Sequence, residues 1–591
     1  MCGIFFVKSS SNRILITKKR IESIFEIHKE RGPDEKKHIL IDDCLMIHTR
    51  LAITNPRRGH QPISDSSEKS FMLFNGEIYN YKDLAKQYNF MKDEDYSDTD
   101  ILFKLIYEVG FINAIKKLRG MFAIVYYDLE NRKIYAARDH FGQKPLYSYR
   151  SKNTIAFSST IRGLISYFGL SLDYSKILHL ISKQGKTCPS QTIFNSVGGL
   201  RAGEIREFNF ELGEESHNYF NHQNIIDSQL YKENLKEPIE NFDHILRETI
   251  NVHFDTEAKT GLLLSGGFDS SMLMRYSEDV KESELCLTKL CPGIEKIPLQ
   301  VVPKLLEKSP KDILFKVLTP KTYFRELIKF IKLNLTIPKW GGTPAMRYLV
   351  RDIEFRNIKV IFGGDGVDES LMGYDTHLNF IQQKSENHIH KTLFGENLLS
   401  DFSFEDNQKL FKNRKLIEED LREHLSDKEA FIQSFLFQDS LEFLQRCNLP
   451  SADLFSMNES LELRNPFVDL EFMRFSLNLP LKWKYNKNTG GKYIFKLLAK
   501  EKIGDIFPSH KEGTRNYSRL LSQTNIWNPN QFNVIRLFPV LKNFESFMDS
   551  TRFTIICVEL LLRIIDNPNI ELKNFDILFN NEGKSIFGEE Y

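Results

Sequence analysis

A cysteine at position 2 becomes the first residue of the chain if initiator Met1 is removed. It would then carry a thiol together with an α-amine of reference pKa about 7.7–8.0. One residue supplies nucleophile and base, the logic of N-terminal threonine nucleophiles. A cysteine there can equally be accidental, because free cysteine is often merely structural. A second centre is suggested by GLLLSGGFDSS, residues 261–271. It reads as an apolar strand, a Ser-Gly-Gly turn and a helix opening at about Asp269. Glycines let backbone N–H groups close on phosphate oxygens, and the helix N-terminus adds its dipole. No GK[ST] follows, so this is not the Walker loop, and alone the segment also reads as a tight turn. A third stretch, Ile358 to Phe362, runs into GGDGVDESLMGY at residues 363–374. As a simple acidic loop it is unremarked, and its spacing does not meet the 12-residue calcium pattern.

Positioning such groups requires elements, and the sequence changes texture along its length. The first 210 or so residues hold short β-type runs: Ile4 to Val7, Leu45 to Ile47, Phe71 to Phe74, Phe122 to Tyr127, Lys133 to Ala136 and Thr154 to Phe157. Turn signals separate them, which predicts stacked antiparallel sheets with a few helices. One helix is expected over Lys18 to Lys29, with Ile21, Ile24, Phe25 and His28 on one face. Residues 211–240 are polar, lack a sustained period and read as a linker. Beyond Asn241, amphipathic stretches alternate with apolar runs such as Gly261 to Leu264 and Val360 to Phe362, the pattern of buried parallel strands and helices. From about Asp375 the chain reads as mostly helical.

Between the strand runs lie RGPD (31–34), HTRLAI (48–53), NGEIYN (75–80), SDTD (97–100) and RDHFGQKPLY (138–147). Singly, each has a structural reading. Asn75-Gly76 is a strong hairpin signal, Arg50 suits a solvated strand position, and Ser97 suits the N-cap of a helix opening at Ile101. Together and in this order they resemble the class II, N-terminal-nucleophile glutamine amidotransferase domain of the asparagine synthetase family, over residues 2–210. The resemblance implies an α+β, four-layer (αββα) Ntn-type glutaminase domain at 2–210 and a linker at 211–240. An α/β ATP-pyrophosphatase domain with a parallel sheet and a helical C-terminal part would follow at 241–591. It also implies roles: Cys2 attacks the glutamine amide, and Asn75 with the Gly76 N–H forms the oxyanion hole, each donor typically worth about 2.7–4 kcal/mol. Arg50 pairs with the substrate α-carboxylate, while Glu77 and Asp98 meet its α-ammonium.

In the same resemblance the SGG segment is similar to the pyrophosphatase loop of N-type ATP enzymes, so Leu264, Ser265, Gly266, Gly267, Asp269 and Ser270, with Gly363 and Gly364, bind ATP. Asp269 and Asp368 hold Mg²⁺, which takes one or two carboxylates plus substrate phosphates. Asp365 is the candidate base for the attacking amine. Lys492, in NTGGKYIFK, stabilises charge on the acyl-adenylate and its tetrahedral intermediate. DLFSMNESLELRNPFVD at 453–469 is similar to a family scaffold segment, and Ser460, Leu461, Glu462, Arg464, Pro466 and Phe467 are assigned there to support. The implied reaction converts glutamine, ATP and an acceptor carboxylate into glutamate, AMP, pyrophosphate and an amide, with ammonia passed internally. Aspartate is the family's acceptor.

The acceptor region departs from the pattern. A stretch that in many relatives reads approximately DEPFADSSA is TIPKWGGTP at residues 336–344, with Thr336, Ile337 and Gly341 in place of acids. Leu285 to Leu290 runs into CPGIEK without the usual acidic pair. A relative that amidates another carboxylate, in a surface sugar or secondary metabolite, is therefore a competing expectation. Composition narrows the partners. Across 591 residues, 80 Lys plus Arg against 79 Asp plus Glu leave a net charge of +1, so the footprint of a nucleic-acid-coating protein is absent. Seven cysteines, an odd number without a CxxC pair, fit a reducing compartment rather than a disulfide framework or zinc site. Without a signal-type N-terminus or membrane span, the expectation is a cytoplasmic enzyme of small-molecule substrates, with a homodimer allowed.

Overall fold

The computed structural model describes residues 2–10, 16–90, 95–188, 190–211, 213–227, 230, 237–281, 283–291, 297–308, 311–353, 356–382, 404–507 and 517–587. The linker residues 228, 229 and 231–236, and most of the CPGIEK segment (292–296), lie outside the described residues.

The amino-terminal strands build two six-stranded antiparallel sheets. The first contains β1 (Cys2–Ser9), β2 (Glu35–Ile41), β3 (Cys44–Arg50), β8 (Tyr147–Arg150), β9 (Thr154–Ser158) and β10 (Val197–Gly199), in the order β10-β8-β9-β1-β3-β2. The second contains β4 (Ile63–Ser64), β5 (Ser70–Ile78), β6 (Gly120–Asp128), β7 (Lys133–Arg138), β11 (Glu204–Asn209) and β12 (Gly213–Asn218), in the order β12-β11-β7-β6-β5-β4.

Side-chain alternation sorts each strand between layers. On β1, Ile4 and Phe6 enter the core between the sheets with Leu73 and Val125. Phe5 and Val7 point the other way, toward the helices Lys18–His28 and Ile161–Phe168. On β5, Phe71 and Leu73 face inward, whereas Met72 and Phe74 pack against the helix Asp98–Val109. At roughly 1.5–3 kcal/mol per fully buried large apolar side chain, this double-sided burial holds the two sheets together as the inner layers of an αββα stack.

Two local expectations change. Asn75-Gly76 makes no turn: β5 runs straight through it, paired with β6 from Ser70↔Asp128 to Ile78↔Gly120. The glycine answers to close approach instead, because a Cβ at Gly76 would stand 2.0 Å from the Met121 carbonyl. The polar stretch after residue 211 supplies β12, an edge strand antiparallel to β11. Exposed edge residues need no apolar alternation, so its sequence carried no strand signal.

The second half is organised on a five-stranded parallel sheet, β15-β14-β13-β16-β17, from β13 (Lys259–Leu263), β14 (Leu285–Leu290), β15 (Ile313–Val317), β16 (Ile358–Phe362) and β17 (Glu462–Arg464). Central strands covered by helices on both faces are apolar throughout, as the sequence indicated. β13 and β16 are neighbours, so the loops that follow them stand side by side at the carboxyl edge of the sheet, where open α/β sheets bind ligands. The remainder is largely helical. Its helix Asp549–Asp566 buries Leu560 and Leu561 in the same cluster as Ile177, Leu180 and Ile181 of the amino-terminal half and Phe324 of the second. The two halves thus share a core.

Candidate active site

Cys2 begins β1, and its cross-strand partner on β3 is Arg50. The Cys2 backbone N–H donates to Asn75 Oδ1 at 2.9 Å, and Arg31 Nε donates to the Cys2 carbonyl at 3.3 Å. Asn75 is fully buried, and its Nδ2 has no hydrogen-bond partner. An amide donor left unmade in a buried position costs free energy, so this Nδ2 is a ready receptor for an oxyanion near Cys2. Burial pushes the Cys2 thiol up. The buried imidazoles of His28 and His48 are drawn down to about 4 and about 3 by desolvation and make their hydrogen bonds elsewhere.

The groups expected to grip an amino acid lie around this point. Asp98 sits at the start of its helix, which is capped by Ser97 in a capping box with Asp100. Its carboxylate accepts from the backbone N–H groups of Ile78 (3.1 Å) and Thr99 (2.7 Å). Burial, then the Glu77 carboxylate, pushes Asp98 well above the usual carboxylate range; Glu77 is raised as well, mainly by burial. A buried pair of acids in which one raises the other's pKa is a natural receptor for an ammonium. Arg50 is nearby, but its guanidinium donates to the carbonyls of Asn55, Pro56 and Arg58 and faces Glu35 at 3.5 Å. A substrate carboxylate would share or exchange those partners.

At the second centre the loop after β13 is folded on its own hydroxyls. The Ser265 N–H donates to Ser270 Oγ (3.2 Å) and the Gly267 N–H to Ser265 Oγ (3.3 Å). Gly266 takes φ +79°, a left-handed value that favours glycine. The helix Phe268–Ser277 opens beside it, one residue ahead of the expected start. Leu264 is tied to β14 through its N–H and the Leu287 carbonyl (2.8 Å). A Cβ at Gly364 would stand 3.1 Å from Asp269 Cβ, so the two loops touch. Lys492, itself left-handed (φ 58°), inserts Nζ between Asp269 (2.6 Å) and Asp368 (2.7 Å). Both carboxylates raise the lysine's pKa against the opposing effect of burial. Their oxygens converge on one point, giving the hard, two-carboxylate donor set that Mg²⁺ takes beside phosphate oxygens. Asp365 is raised to about 6, chiefly by burial and then by Asp368 and Asp269. Glu369 is raised to about 8 and accepts from Tyr374 Oη (2.5 Å) and Asn448 Nδ2 (2.8 Å).

The residues assigned in the sequence to catalysis and to glutamine, ATP and metal binding lie in or beside these two groups, whereas Ser460 donates to the Glu30 carbonyl (2.7 Å) and Thr336 lines a separate cavity. Sequence reasoning assigned Arg464 to scaffold and missed its span. The fully buried guanidinium contacts Glu462 (2.6 Å), Glu77 (3.3 Å) and the His253 carbonyl (2.7 Å), while its own carbonyl accepts the Gly363 N–H (3.0 Å). Arg31, inside the RGPD segment, likewise clamps Asp453 with two hydrogen bonds of 2.7 and 3.0 Å. Apart from Glu462, the partners Glu77, His253 and Asp453 lie hundreds of residues away, and no local pattern announces such pairs.

Two family models match separate stretches of the chain. A glutamine amidotransferase domain model matches residues 1–220, and an asparagine synthase model matches residues 315–520. Asparagine synthetase (glutamine-hydrolyzing) 1 of Bacillus subtilis (strain 168) is 25% identical over 563 residues, covering 86% of this chain and 85% of the relative. Asparagine synthetase B (glutamine-hydrolyzing) of Escherichia coli (strain K12) is 26% identical over 391 residues, covering 63% and 65%. Asparagine synthetase (glutamine-hydrolyzing) 2 of Oryza sativa subsp. japonica is 28% identical over 386 residues, covering 63% and 60%.

Proposed function

We propose that the chain is a glutamine-hydrolysing carbon–nitrogen ligase of the asparagine synthetase type, as its two domain matches and similar relatives support, and that it converts aspartate to asparagine through an aspartyl-adenylate and internally passed ammonia. With Met1 removed, the Cys2 thiolate attacks the side-chain amide carbon of glutamine. The α-amine relays the thiol proton to the departing ammonia, and a glutamyl thioester remains. Asn75 Nδ2 and the Gly76 N–H receive the oxyanion, and Glu77 and Asp98 receive the substrate ammonium. Water then releases glutamate.

At the second centre the aspartate β-carboxylate attacks the α-phosphorus of ATP and pyrophosphate leaves. The loop from Leu264 to Ser270, with Gly363 and Gly364, holds the phosphates through backbone N–H groups and a helix N-terminus. Asp269 and Asp368 would hold Mg²⁺, which neutralises charge on the pyrophosphate. Ammonia attacks the acyl carbon, Asp365 takes its proton, and AMP leaves as Lys492 faces the oxyanion. Direct passage protects ammonia from protonation in bulk water and the adenylate from hydrolysis.

The carrying observation is Arg464, whose side chain reaches Glu77 and whose carbonyl binds Gly363 at the ATP loop. That bridge supports a coupled reaction over two independent ones. The test supplies amide-¹⁵N glutamine, ATP, Mg²⁺ and aspartate, and follows ¹⁵N in asparagine by mass spectrometry. Labelled asparagine with equimolar AMP is expected. Glutamine hydrolysis with no aspartate-dependent pyrophosphate would defeat the proposal and favour another carboxylate.

A further inference from the structure

A cavity of about 60 Å³ lies at the seam of the two halves, outside both centres. Tyr147, Thr187 and Cys188 line it from the amino-terminal half, Lys339 and Arg446 from the second, and Leu561 from the carboxyl-terminal helix Asp549–Asp566. Among the described residues, its lining carries the cations Arg138, Lys176, Lys339 and Arg446 against one carboxylate, Asp453. Most of these charges are answered. Asp453 is gripped by both terminal nitrogens of Arg31, at 2.7 and 3.0 Å. Lys176 meets Asp173 at 3.3 Å, and Arg446 meets Glu442 at 3.1 Å. Arg138 turns its guanidinium nitrogens to the carbonyls of Lys144, Leu200 and Gly142, while the neighbouring Asp139 opposes the burial that draws its pKa down.

Lys339 is the exception. Among the described residues, the hydrogen-bond partner of its Nζ is neutral, the Thr187 hydroxyl at 3.3 Å. Burial draws this ammonium down to about 8, as expected of a cation without a carboxylate beside it. The neighbouring Cys447 does not supply the missing charge. Burial pushes its thiol up to about 11, and it donates to the Lys339 carbonyl at 3.4 Å. A second lysine adds to the surplus. Lys186, next to Thr187 in the chain, stands 5.3 Å from the centre of the Phe443 ring, a contact that leaves its positive charge uncancelled. Lys186 and Lys339 both act on the Cys447 thiol against the effect of burial, so the two charges bear on one place.

We infer that the cavity is a site for one small oxyanion, held by the Lys339 ammonium and the Thr187 hydroxyl, which serves as the counter-charge of the seam. Size sets the class. A water takes about 30 Å³ in the liquid, so the cavity holds about two waters, or an anion of about four or five heavy atoms such as acetate or orthophosphate. The donors suit it, because lysine meets an oxyanion as a point charge and a hydroxyl donates to its lone pairs. The lining comes from both halves and from the carboxyl-terminal helix, so the site exists only in the folded seam. An anion bound there stabilises the protein by RT ln(1 + [L]/Kd), a saturable effect. This inference stands apart from the amidation reading.

The experiment measures thermal midpoints in HEPES while phosphate or acetate is titrated, with ionic strength held by sodium gluconate, whose anion is too large for the cavity. The parent midpoint should rise to saturation with at least one of the two. Phosphate alone marks an inorganic ligand, acetate alone a carboxylate, and both the shared oxyanion chemistry. Lys339→Met should raise the half-saturating concentration by ~10–100-fold, the worth of one charge-assisted hydrogen bond, and Thr187→Val by ~2–10-fold, that of a neutral one. Lys339→Arg should keep most of the response. A merely structural lysine would lower the anion-free midpoint on removal, whereas Lys339→Met should leave it unchanged or raise it, because an unanswered cation is gone. A single cooperative transition reports that each variant is folded, and the parent titration with Thr187→Val decides the matter if Lys339→Met does not fold. No saturable rise with either anion, or a lowered anion-free midpoint in Lys339→Met, would overturn the inference. So would half-saturation in that variant equal to the parent's, which puts the anion at the phosphate loop after β13 instead.

Discussion

Arg464 and Glu77 meet 3.3 Å apart across the seam of the two halves, with the guanidinium wholly withdrawn from solvent. The same guanidinium also neutralises Glu462, so one cation serves two buried acids. Arg464→Met leaves both acids without it, and breaking a buried ionic contact costs ~3–5 kcal/mol. A lower urea midpoint is expected, together with more than one glutamine consumed per pyrophosphate formed. Arg464→Lys keeps the charge but loses the fork that reaches Glu462, Glu77 and the His253 carbonyl, and should fall between. If the methionine variant keeps both parent midpoint and one-to-one stoichiometry, Arg464 does not couple the centres.

How much of this was legible in the sequence depends on the range over which each signal acts. β1, β5 and β6 were readable because alternation is local, and the SGG loop because its strand, turn and helix are consecutive. The N-cap at Ser97 is a local signal and was visible, although the helix opens at Asp98 rather than Ile101 and its capping box with Asp100 was not read. β12 was hidden because an exposed edge strand needs no apolar pattern. Asn75-Gly76 misled as a hairpin because pairing with β6 along its whole length overrides a dipeptide's turn preference. Arg464 and Arg31 reach Glu77 and Asp453, partners brought in from distant sequence, and only folding reveals them.

Glu77 and Asp98 set the pH response of glutamine use. Both are raised above the ordinary carboxylate range by burial, so at low pH they are protonated and cannot pair with an ammonium. As pH rises through their raised pKa values they ionise, and glutamine affinity increases. KM for glutamine should therefore fall with rising pH over a window above the usual carboxylate range, with the ammonia-dependent synthetase activity following a different profile. Asp98→Asn should raise KM and flatten that dependence. An unaltered KM profile in this variant would remove Asp98 from ammonium recognition.

Asn75 joins Cys2 through Oδ1 and leaves Nδ2 unpartnered, so its two ends can be separated by substitution. Asn75→Ala should reduce glutaminase kcat by ~10²–10³, the effect of losing one oxyanion donor, with little change in glutamine KM. Cys2→Ala should abolish glutamine use yet leave ammonia-dependent pyrophosphate release, because the second centre shares no catalytic group with the first. Loss of both activities in a folded Cys2→Ala protein would contradict two separable centres.

Lys492 stands where Asp269 and Asp368 converge, so Mg²⁺ and ATP must displace or share its ammonium. Asp269→Asn removes one hard oxygen donor and should stop pyrophosphate release. It should also erase the rise in thermal midpoint that Mg²⁺ with ATP produces in the parent. Lys492→Met removes the competitor instead: the two carboxylates repel each other without it, and a divalent ion relieves that repulsion. The Mg²⁺-dependent thermal shift should be retained or enlarged, while kcat drops by ~10²–10³ through loss of a positive charge facing the oxyanion. Chelation by EDTA should then lower the midpoint of Lys492→Met more than that of the parent, whose lysine still neutralises the pair. Equal responses to EDTA would show that Lys492 does not occupy the metal's place.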